Sequence, residues 1–575
     1  MIFRPPVCRA TKPRSPWPLL ALGASAIALA ACSSPQRSAA VQAGGVYRPS
    51  VGNLAPMTTA ERTSFEQTSS LADVRAFLDS LAAIEPDGVA LGTFGTSADG
   101  QTIPYVIASR PLVRTPAEAR VLDRPIVFVQ GGIHGGEVEG KEAVLALIRD
   151  LVRQPDRNLL DSIVLVAVPM YNPDGASRLG PQERNRTEQN GPAIVGQRTN
   201  GDTLDLNRDY IKAEAPETRA TLEFLRAWEP DVFVDLHATN GSYHGYAFTY
   251  SPPLNPASLI VGPFVRDTVL PALRERLRNS RRIESFPYGN FVSQDSVERG
   301  WYTYDHRPRF GVNYMGLRGR VAILFEAYSH DPYIRRVGTA YTFLFDLLDL
   351  IGANANDFLD VSREADRRVT GWGTQPAGAP QVPIRAELRT PSQRTSMLVE
   401  RIEPTGDSTR SEPGLPPGIR RAGVRRVTVP IYDRFTPTLS RSMPHGYAIP
   451  AGSVEAIELL HRHGLVMERL TQPLATTVER FTVDSIVRQE RPFQGHRTVR
   501  LEGRWATAQE TLPAGTILVR SGQPLAILAM YLLEAESDDG LVTWNYFDRE
   551  LSESASFPVV RLTQPVTIPL TVLDR

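Results

Sequence analysis

Apolar residues fall along this chain in short unbroken runs separated by stretches with helical spacing. Ile126-Val127-Phe128-Val129, Ile163 through Val168, Val232-Phe233-Val234 and Val321 through Phe325 are continuous rather than alternating. Such runs suit strands covered on both faces. Between and after them, the spacing of apolar positions predicts helices over Val138–Val152, Glu217–Trp228, Ser258–Arg278 and Arg335–Ile351. Ser70-Leu71-Ala72-Asp73 has the form of a capping box, and Leu71, Val74, Phe77, Leu78 and Leu81 follow at helical spacing, so packing is predicted to begin near residue 65. The alternation of strand and helix patterns predicts an α/β domain over residues 65–365.

The texture then changes. Residues 366–425 are dense in Pro, Gly, Thr and Arg and read as a linker or a small β module. Over residues 426–575, β-type segments recur at Val427–Val429, Phe481–Val483, Thr498–Leu501, Thr516–Val519 and Leu541–Trp544. Two helices interrupt them, one over Ser453–His463 stopped by Gly464, the other opening at Gln523-Pro524 with proline at its first position. This part is predicted to be a β-rich accessory domain.

Composition narrows the class. Over 575 residues the chain is 42% hydrophobic and 22% charged, an ordinary globular balance. Lys+Arg and Asp+Glu are each 63, so the basic excess of a nucleic-acid binder is missing and no nucleic-acid partner is expected. The two cysteines, Cys8 and Cys32, exclude a disulfide scaffold and a cysteine-ligated structural zinc. Both lie at the start of the chain. Arg4, Arg9, Lys12 and Arg14 precede an apolar run from Leu19 to Ala31, the n-region and h-region of an export signal. The run is shorter than the ~20 residues a membrane span needs. It ends in Leu29-Ala30-Ala31-Cys32, which resembles the bacterial lipobox. The resemblance implies a lipoprotein signal peptide over residues 1–31, cleavage before Cys32 and acylation of its thiol. Residues 32–64, rich in Ser, Ala, Gly and Gln, then read as a tether. Ser33 after the cysteine, rather than Asp, resembles lipoproteins sent to the periplasmic face of the outer membrane.

The chemistry-bearing residues cluster after the apolar runs. The first run leads into Gly131-Gly132-Ile133-His134-Gly135-Gly136-Glu137 at a strand-to-helix turn, where His and Glu three apart can meet one metal. His237 closes Val232-Phe233-Val234-Asp235-Leu236-His237. In open α/β sheets, ligands gather beyond the carboxyl ends of strands, so His134 and His237 can converge. Tyr171-Asn172-Pro173-Asp174-Gly175, Arg198-Thr199-Asn200 and Asp205-Leu206-Asn207-Arg208 follow in polar loops, and Glu326 closes the last run.

Order, context and residue types together resemble the carboxypeptidase A-like zinc metallocarboxypeptidases, over about half the chain. The resemblance implies a mixed central sheet flanked by helices and one Zn2+ held by His134, Glu137 and His237. It implies Glu326 as the catalytic general base acting on the zinc-bound water, and Arg198 as the group that polarises the scissile carbonyl. Asn207 and Arg208 match the pair that holds the terminal carboxylate of a peptide substrate. A carboxylate is best held by a planar charged fork. The chain has three lysines, Lys12, Lys141 and Lys212, so arginine is its default cation and the weight falls on the adjacent asparagine. The family places a substrate-contacting tyrosine on a loop before the glutamate. Tyr304 has the nearest spacing, while Tyr302, His306 and Tyr314 stay open. Arg307 and Arg309 in that loop read as solvated charges, with a preference for acidic side chains as the alternative.

The expected activity is release of C-terminal residues from peptides by an exported protein, lipid-anchored to the cell envelope. Two hydrolase alternatives keep the zinc site: a cell-wall peptide amidase or carboxypeptidase, and an N-acyl amino acid amidohydrolase. A non-catalytic peptide-binding lipoprotein is the alternative from another class. Glu326 could instead be structural, paired with Arg318 or Arg320. Glu139 and Glu142 read as solvated helix-face charges, His244 and His330 as supporting or surface histidines, and Trp544 and Phe547 as core.

Overall fold

The computed structural model describes residues 54–154, 158–389, 391–409, 412, 415–567 and 570–573. The segment 1–31, Cys32 and most of the 32–64 tether lie outside the described residues. Packing begins before residue 64, because Thr59 and Ala60 of a short helix, Thr59–Arg62, are already buried.

An eight-stranded mixed sheet forms the centre. Its strands are β1 (Val89–Thr96), β2 (Thr102–Ala108), β3 (Ile126–Gly131), β4 (Val164–Val168), β5 (Val232–Ala238), β6 (Phe248–Ser251), β7 (Ser285–Pro287) and β8 (Val321–Ala327), in the order β1-β2-β4-β3-β5-β8-β6-β7. The four predicted apolar runs are β3, β4, β5 and β8. They are parallel neighbours, and every residue of each is buried. Both faces are covered by helices, so alternation has no face to serve.

Helices α1 (Leu71–Ile84), α2 (Glu139–Arg153), α3 (Pro216–Trp228), α4 (Gly311–Leu317) and α5 (Tyr333–Ala353) flank the sheet. The capping box at α1 is present: Ser70 Oγ accepts from the Asp73 N–H at 3.2 Å, and Asp73 Oδ2 accepts from the Ser70 N–H at 2.9 Å. The helix predicted over residues 258–278 is present as one continuous run from Val261 to Arg281, but its winding is not uniformly α. Two π turns, Val265–Val269 and Leu277–Arg281, flank Leu270–Arg276, where Pro271 cannot donate to the helical ladder.

The boundary expected at residue 365 falls inside a helix, α6 (Ala355–Thr374). Residues 366–425 hold the end of α6 and most of a long hairpin, β9 (Gln393–Pro404) with β10 (Ile419–Tyr432). Farther on lies a seven-stranded sheet of β11 (Gly446–Ile449), β12 (Glu468–Leu470), β13 (Leu474–Arg488), β14 (Val499–Leu512), β15 (Ile517–Arg520), β16 (Val560–Leu562) and β17 (Leu570–Val572). Helices α7 (Val454–Arg462) and α8 (Ala526–Leu533) accompany it. Leu541–Trp544, predicted as strand, is a buried turn: its side chains pack inward without a ladder partner.

The two parts share a core. One apolar cluster contains Phe128 and Phe233 of the central sheet, Tyr314 and Met315 of α4, Leu459 and Leu460 of α7, and Leu528 and Trp544 near the C-terminus. Trp544 and Phe547 are thus core residues. Burying a large apolar side chain contributes roughly 1.5–3 kcal/mol, so this shared cluster welds the halves together.

Candidate metal and substrate site

The β3-to-α2 connection carries His134 and Glu137, and its glycines are required by its shape. Gly132 has φ +68, and a Cβ on Gly135 would lie 2.2 Å from the backbone nitrogen of Ala176. His237 is the penultimate residue of β5, and Glu326 pairs with it in register on β8. All four groups therefore stand at the carboxyl ends of parallel strands.

His134, Glu137 and His237 each offer one ligand atom within 4.8 Å of the other two. The Glu137 carboxylate lies between the rings: Oε1 is 2.9 Å from His134 Nδ1, and Oε2 is 3.0 Å from His237 Nδ1. The far nitrogens meet carboxylates of their own. His134 Nε2 is 3.1 Å from Asp205 Oδ1, and His237 Nε2 is 2.9 Å from Asp235 Oδ2. Imidazoles backed by carboxylates, with their other nitrogens converging on a third carboxylate, are the donor set and support that zinc takes, so the residues fit the metal.

Burial pushes the Glu137 carboxyl upward, but the charges of His134 and Arg186 and hydrogen bonds from both imidazoles outweigh it, and its pKa falls well below the usual range. Burial and then Asp235 act in opposite senses on His237, whose pKa ends well above the ordinary histidine value. Glu326, 7% exposed, is pushed up to about 8 by burial and by Glu137, against His237, Arg186 and Arg198.

The cleft beside these groups is small, about 90 Å³, and is lined among others by Arg198, Arg208, Tyr288, Tyr304, Phe310 and Glu326. Arg198 donates from Nε to Asp205 Oδ2 at 2.9 Å, and its Nη1 is 3.7 Å from Glu137. Arg208 sits over the Phe310 ring, 4.0 Å from its centroid. Asn207 is held from two sides, its Oδ1 accepting from the Gly311 N–H at 3.0 Å and its Nδ2 lying 3.3 Å from His237 Nε2.

Of the tyrosines and histidines left open in the 301–314 loop, Tyr304 faces this cleft. Tyr302 stacks on Tyr432, His306 meets Asp538 at 3.1 Å, and Tyr314 hydrogen-bonds His463 at 2.8 Å. Arg307 is paired with Asp305 and Arg309 with Asp539, so both are neutralised within the fold, and Arg309 is buried rather than solvated. The alternative partners of Glu326 are engaged elsewhere: Arg318 donates to the His463 carbonyl, and Arg320 binds Asp366. Glu139 and Glu142, expected in solvent, are buried. Glu139 lies 3.4 Å from Arg336, and Glu142 accepts from Thr68 and from Ser69. His244 and His330 are likewise buried, in a stack with Tyr328 and Tyr243.

Sequence reasoning missed Arg186, Asp235 and Tyr288, and gave Asp205 no role. Arg186 donates to Glu137 Oε1 at 3.1 Å and to the carbonyls of Ala238 and Thr239. The signal for Asp235 was available. It stands two residues before His237 on one strand, hence on the same face.

A histidine–glutamate–histidine cluster at the carboxyl edge of a mixed α/β sheet, beside a buried glutamate and an arginine-lined cleft, is a metallohydrolase centre. Residues 74–304 match the zinc carboxypeptidase family, peptidase M14, which supports reading this centre as that of a zinc-dependent carboxypeptidase. It is 23% identical over 492 residues to Carboxypeptidase 2 of Trichophyton equinum, covering 81% of each chain. It is 34% identical over 160 residues to Carboxypeptidase D of Mus musculus, covering 27% of this chain and 11% of that one. Among solved structures, a metallo-carboxypeptidase from Burkholderia cenocepacia aligns with a TM-score of 0.36 at 16% identity, covering 50% of this chain and 70% of that chain.

Proposed function

We propose that this chain releases C-terminal residues from peptides, using one zinc ion held by His134, Glu137 and His237. The observation that carries the reading is that Arg208, Arg198 and Glu326 line one cleft with those three residues. When bound there, zinc supplies Lewis acidity toward a carbonyl oxygen and a water. Arg208 holds the substrate's terminal carboxylate as a charge-assisted fork, its guanidinium supported by Phe310. Asn207, pinned by Gly311 and His237, fixes the turn that presents it. That grip sets the scissile bond against the reacting groups. Arg198, anchored by Asp205, meets the negative charge that develops on the scissile oxygen. Glu326 takes a proton from the attacking water and returns it to the leaving amine, a role open to a carboxyl that stands in register with His237 and lines the same cleft. Tyr288, Tyr304 and Phe310 give the terminal side chain an aromatic surround, and the pairing of Arg307 and Arg309 argues against selection for acidic side chains.

The exported, lipid-anchored state at the periplasmic face of the outer membrane belongs to the same proposal. Its support is the basic start, the apolar run and Leu29-Ala30-Ala31-Cys32. No described helix is long and apolar enough to cross a membrane. Two experiments test the proposal. Metal analysis with mass spectrometry of a digested peptide library should give one zinc per chain and products shortened from the C-terminus; internal cleavage would overturn it. Cys32→Ala should move the protein from the membrane to the soluble fraction, and persistent membrane association after a salt wash would refute the anchor.

A further inference from the structure

The longest hairpin of the C-terminal sheet, β13 with β14, carries its tip to the metal site. At the tip Phe493 and His496 exchange backbone hydrogen bonds of 2.8 and 3.0 Å, so Gln494 and Gly495 form a two-residue turn. Their φ values are +51 and +81. Both central residues in the left-handed region define the type I′ pattern, which Asn-Gly or Gly-Gly fills at least cost. Glutamine is a poor occupant of that position, since of the side-chain residues only Asn and Asp enter it readily. Strain of this kind, where it persists, points to a function at the site.

What the strained residue reaches is specific. Gln494 Oε1 accepts from the backbone N–H of Asp205 at 3.1 Å, across 289 residues of sequence. Asp205 opens the turn bearing Asn207 and Arg208, and its carboxylate meets both His134 Nε2 and Arg198 Nε. Two residues beyond, His496 Nε2 lies 2.7 Å from Glu214 Oε1, and its Nδ1 is 2.9 Å from Asn545 Oδ1. Phe493 covers the Arg309 guanidinium, 5.2 Å from ring centroid to Cζ. The tip thus grips residues 205–214 at both ends.

We propose that Gln494 is a positioning residue of the metal centre, supplied by the C-terminal part of the chain. It fixes the backbone of Asp205 and, through the Asp205 carboxylate, orients His134 toward zinc and Arg198 toward the scissile oxygen. The proposal rests on the zinc carboxypeptidase reading above.

Two substitutions in the full-length protein test it. Gln494→Met keeps the length and the backbone strain but removes the acceptor. Gln494→Asn suits the left-handed turn but is one methylene too short to reach Asp205. Zinc affinity is read by competition with a chromogenic chelator, melting temperature on the metal-free chain, and kcat and KM on a blocked dipeptide. Removing a carboxylate that backs a metal-bound imidazole costs ~10–100-fold in metal affinity, and Gln494 stands one bond farther out. Both variants should therefore bind zinc ~3–10-fold more weakly and lose kcat more than KM. Gln494→Asn should melt at or above the parent temperature. Parental zinc affinity in both variants would overturn the proposal, as would a loss that merely tracks a lowered melting temperature in both. A parent chain that bound zinc but cleaved no peptide would instead refute the underlying reading, and the chelator measurement would still decide the role of Gln494.

Discussion

Asp205 Oδ1 lies 3.1 Å from Nε2 of His134, on the ring edge opposite the one that faces Glu137. A carboxylate in that position fixes the tautomer that leaves Nδ1 free to ligate and makes the ring a stronger donor. Asp205→Ala should weaken zinc binding ~10–100-fold while the protein stays folded. Chelator competition measures the affinity, and circular dichroism checks the fold. Unchanged affinity would remove Asp205 from the support of the metal.

Glu326→Gln keeps size and hydrogen-bonding shape but cannot take a proton. If Glu326 is the base, kcat should fall by ~10²–10⁴, with zinc content and KM near the parent values. Single-turnover rates on the zinc-loaded variant measure this. A stability loss with near-normal turnover would assign Glu326 to the framework instead.

The framework of this site was legible in the sequence because its strands are buried on both faces and its ligands stand at their ends. Burial made β3, β4, β5 and β8 into unbroken apolar runs, and the motifs then fell at predictable places. The supporting shell was harder to see. Arg186 lies in a polar loop, and nothing local distinguishes it from the many other arginines of the chain. Gln494 is 289 residues from the backbone group it binds, and its strain exists only in three dimensions. Leu541–Trp544 misled for another reason: its apolar residues are buried as predicted, but in a turn packed against the shared core. The change of composition after residue 365 likewise marks no boundary, because α6 runs through it.

His463 offers a test of the join between the two parts. Its Nδ1 is 2.8 Å from the Tyr314 hydroxyl, and its Nε2 is 3.0 Å from the Ile211 carbonyl. Burial lowers its pKa to about 3, helped by Arg318 and Arg462 and opposed by the Ile211 hydrogen bond. The folded value lies below the ordinary one, so the unfolded chain takes up a proton that the native chain refuses. Its contribution to stability is complete above about pH 6.5 and is lost as pH falls toward 3, at up to ~1.4 kcal/mol per pH unit. Urea unfolding between pH 4 and 7 should show a shallower slope for His463→Gln than for the parent. Equal slopes would contradict the buried, neutral state.

Arg309 and Asp539 form a second join. Asp539 accepts from the Arg309 backbone N–H at 2.9 Å and from its guanidinium at 3.0 and 2.7 Å, with both residues buried. Removing one partner leaves a buried charge unpaired, at a cost of ~3–5 kcal/mol. Asp539→Ala should lose about that much in denaturant unfolding, and Arg309→Met added to it should recover part of the loss. A loss below ~1 kcal/mol would show that solvent reaches the pair.

The grip of Arg208 on a free terminal carboxylate is tested most directly by comparing one blocked dipeptide as free acid and as C-terminal amide. Initial rates on the zinc-loaded protein are followed by mass spectrometry of the released residue. An amide cannot replace the charge-assisted hydrogen bonds of a carboxylate, each worth ~1.5–3 kcal/mol, so the free acid should react at least about tenfold faster. Arg208→Ala should narrow that ratio by slowing the free acid. Equal hydrolysis of acid and amide by the parent protein would contradict the account.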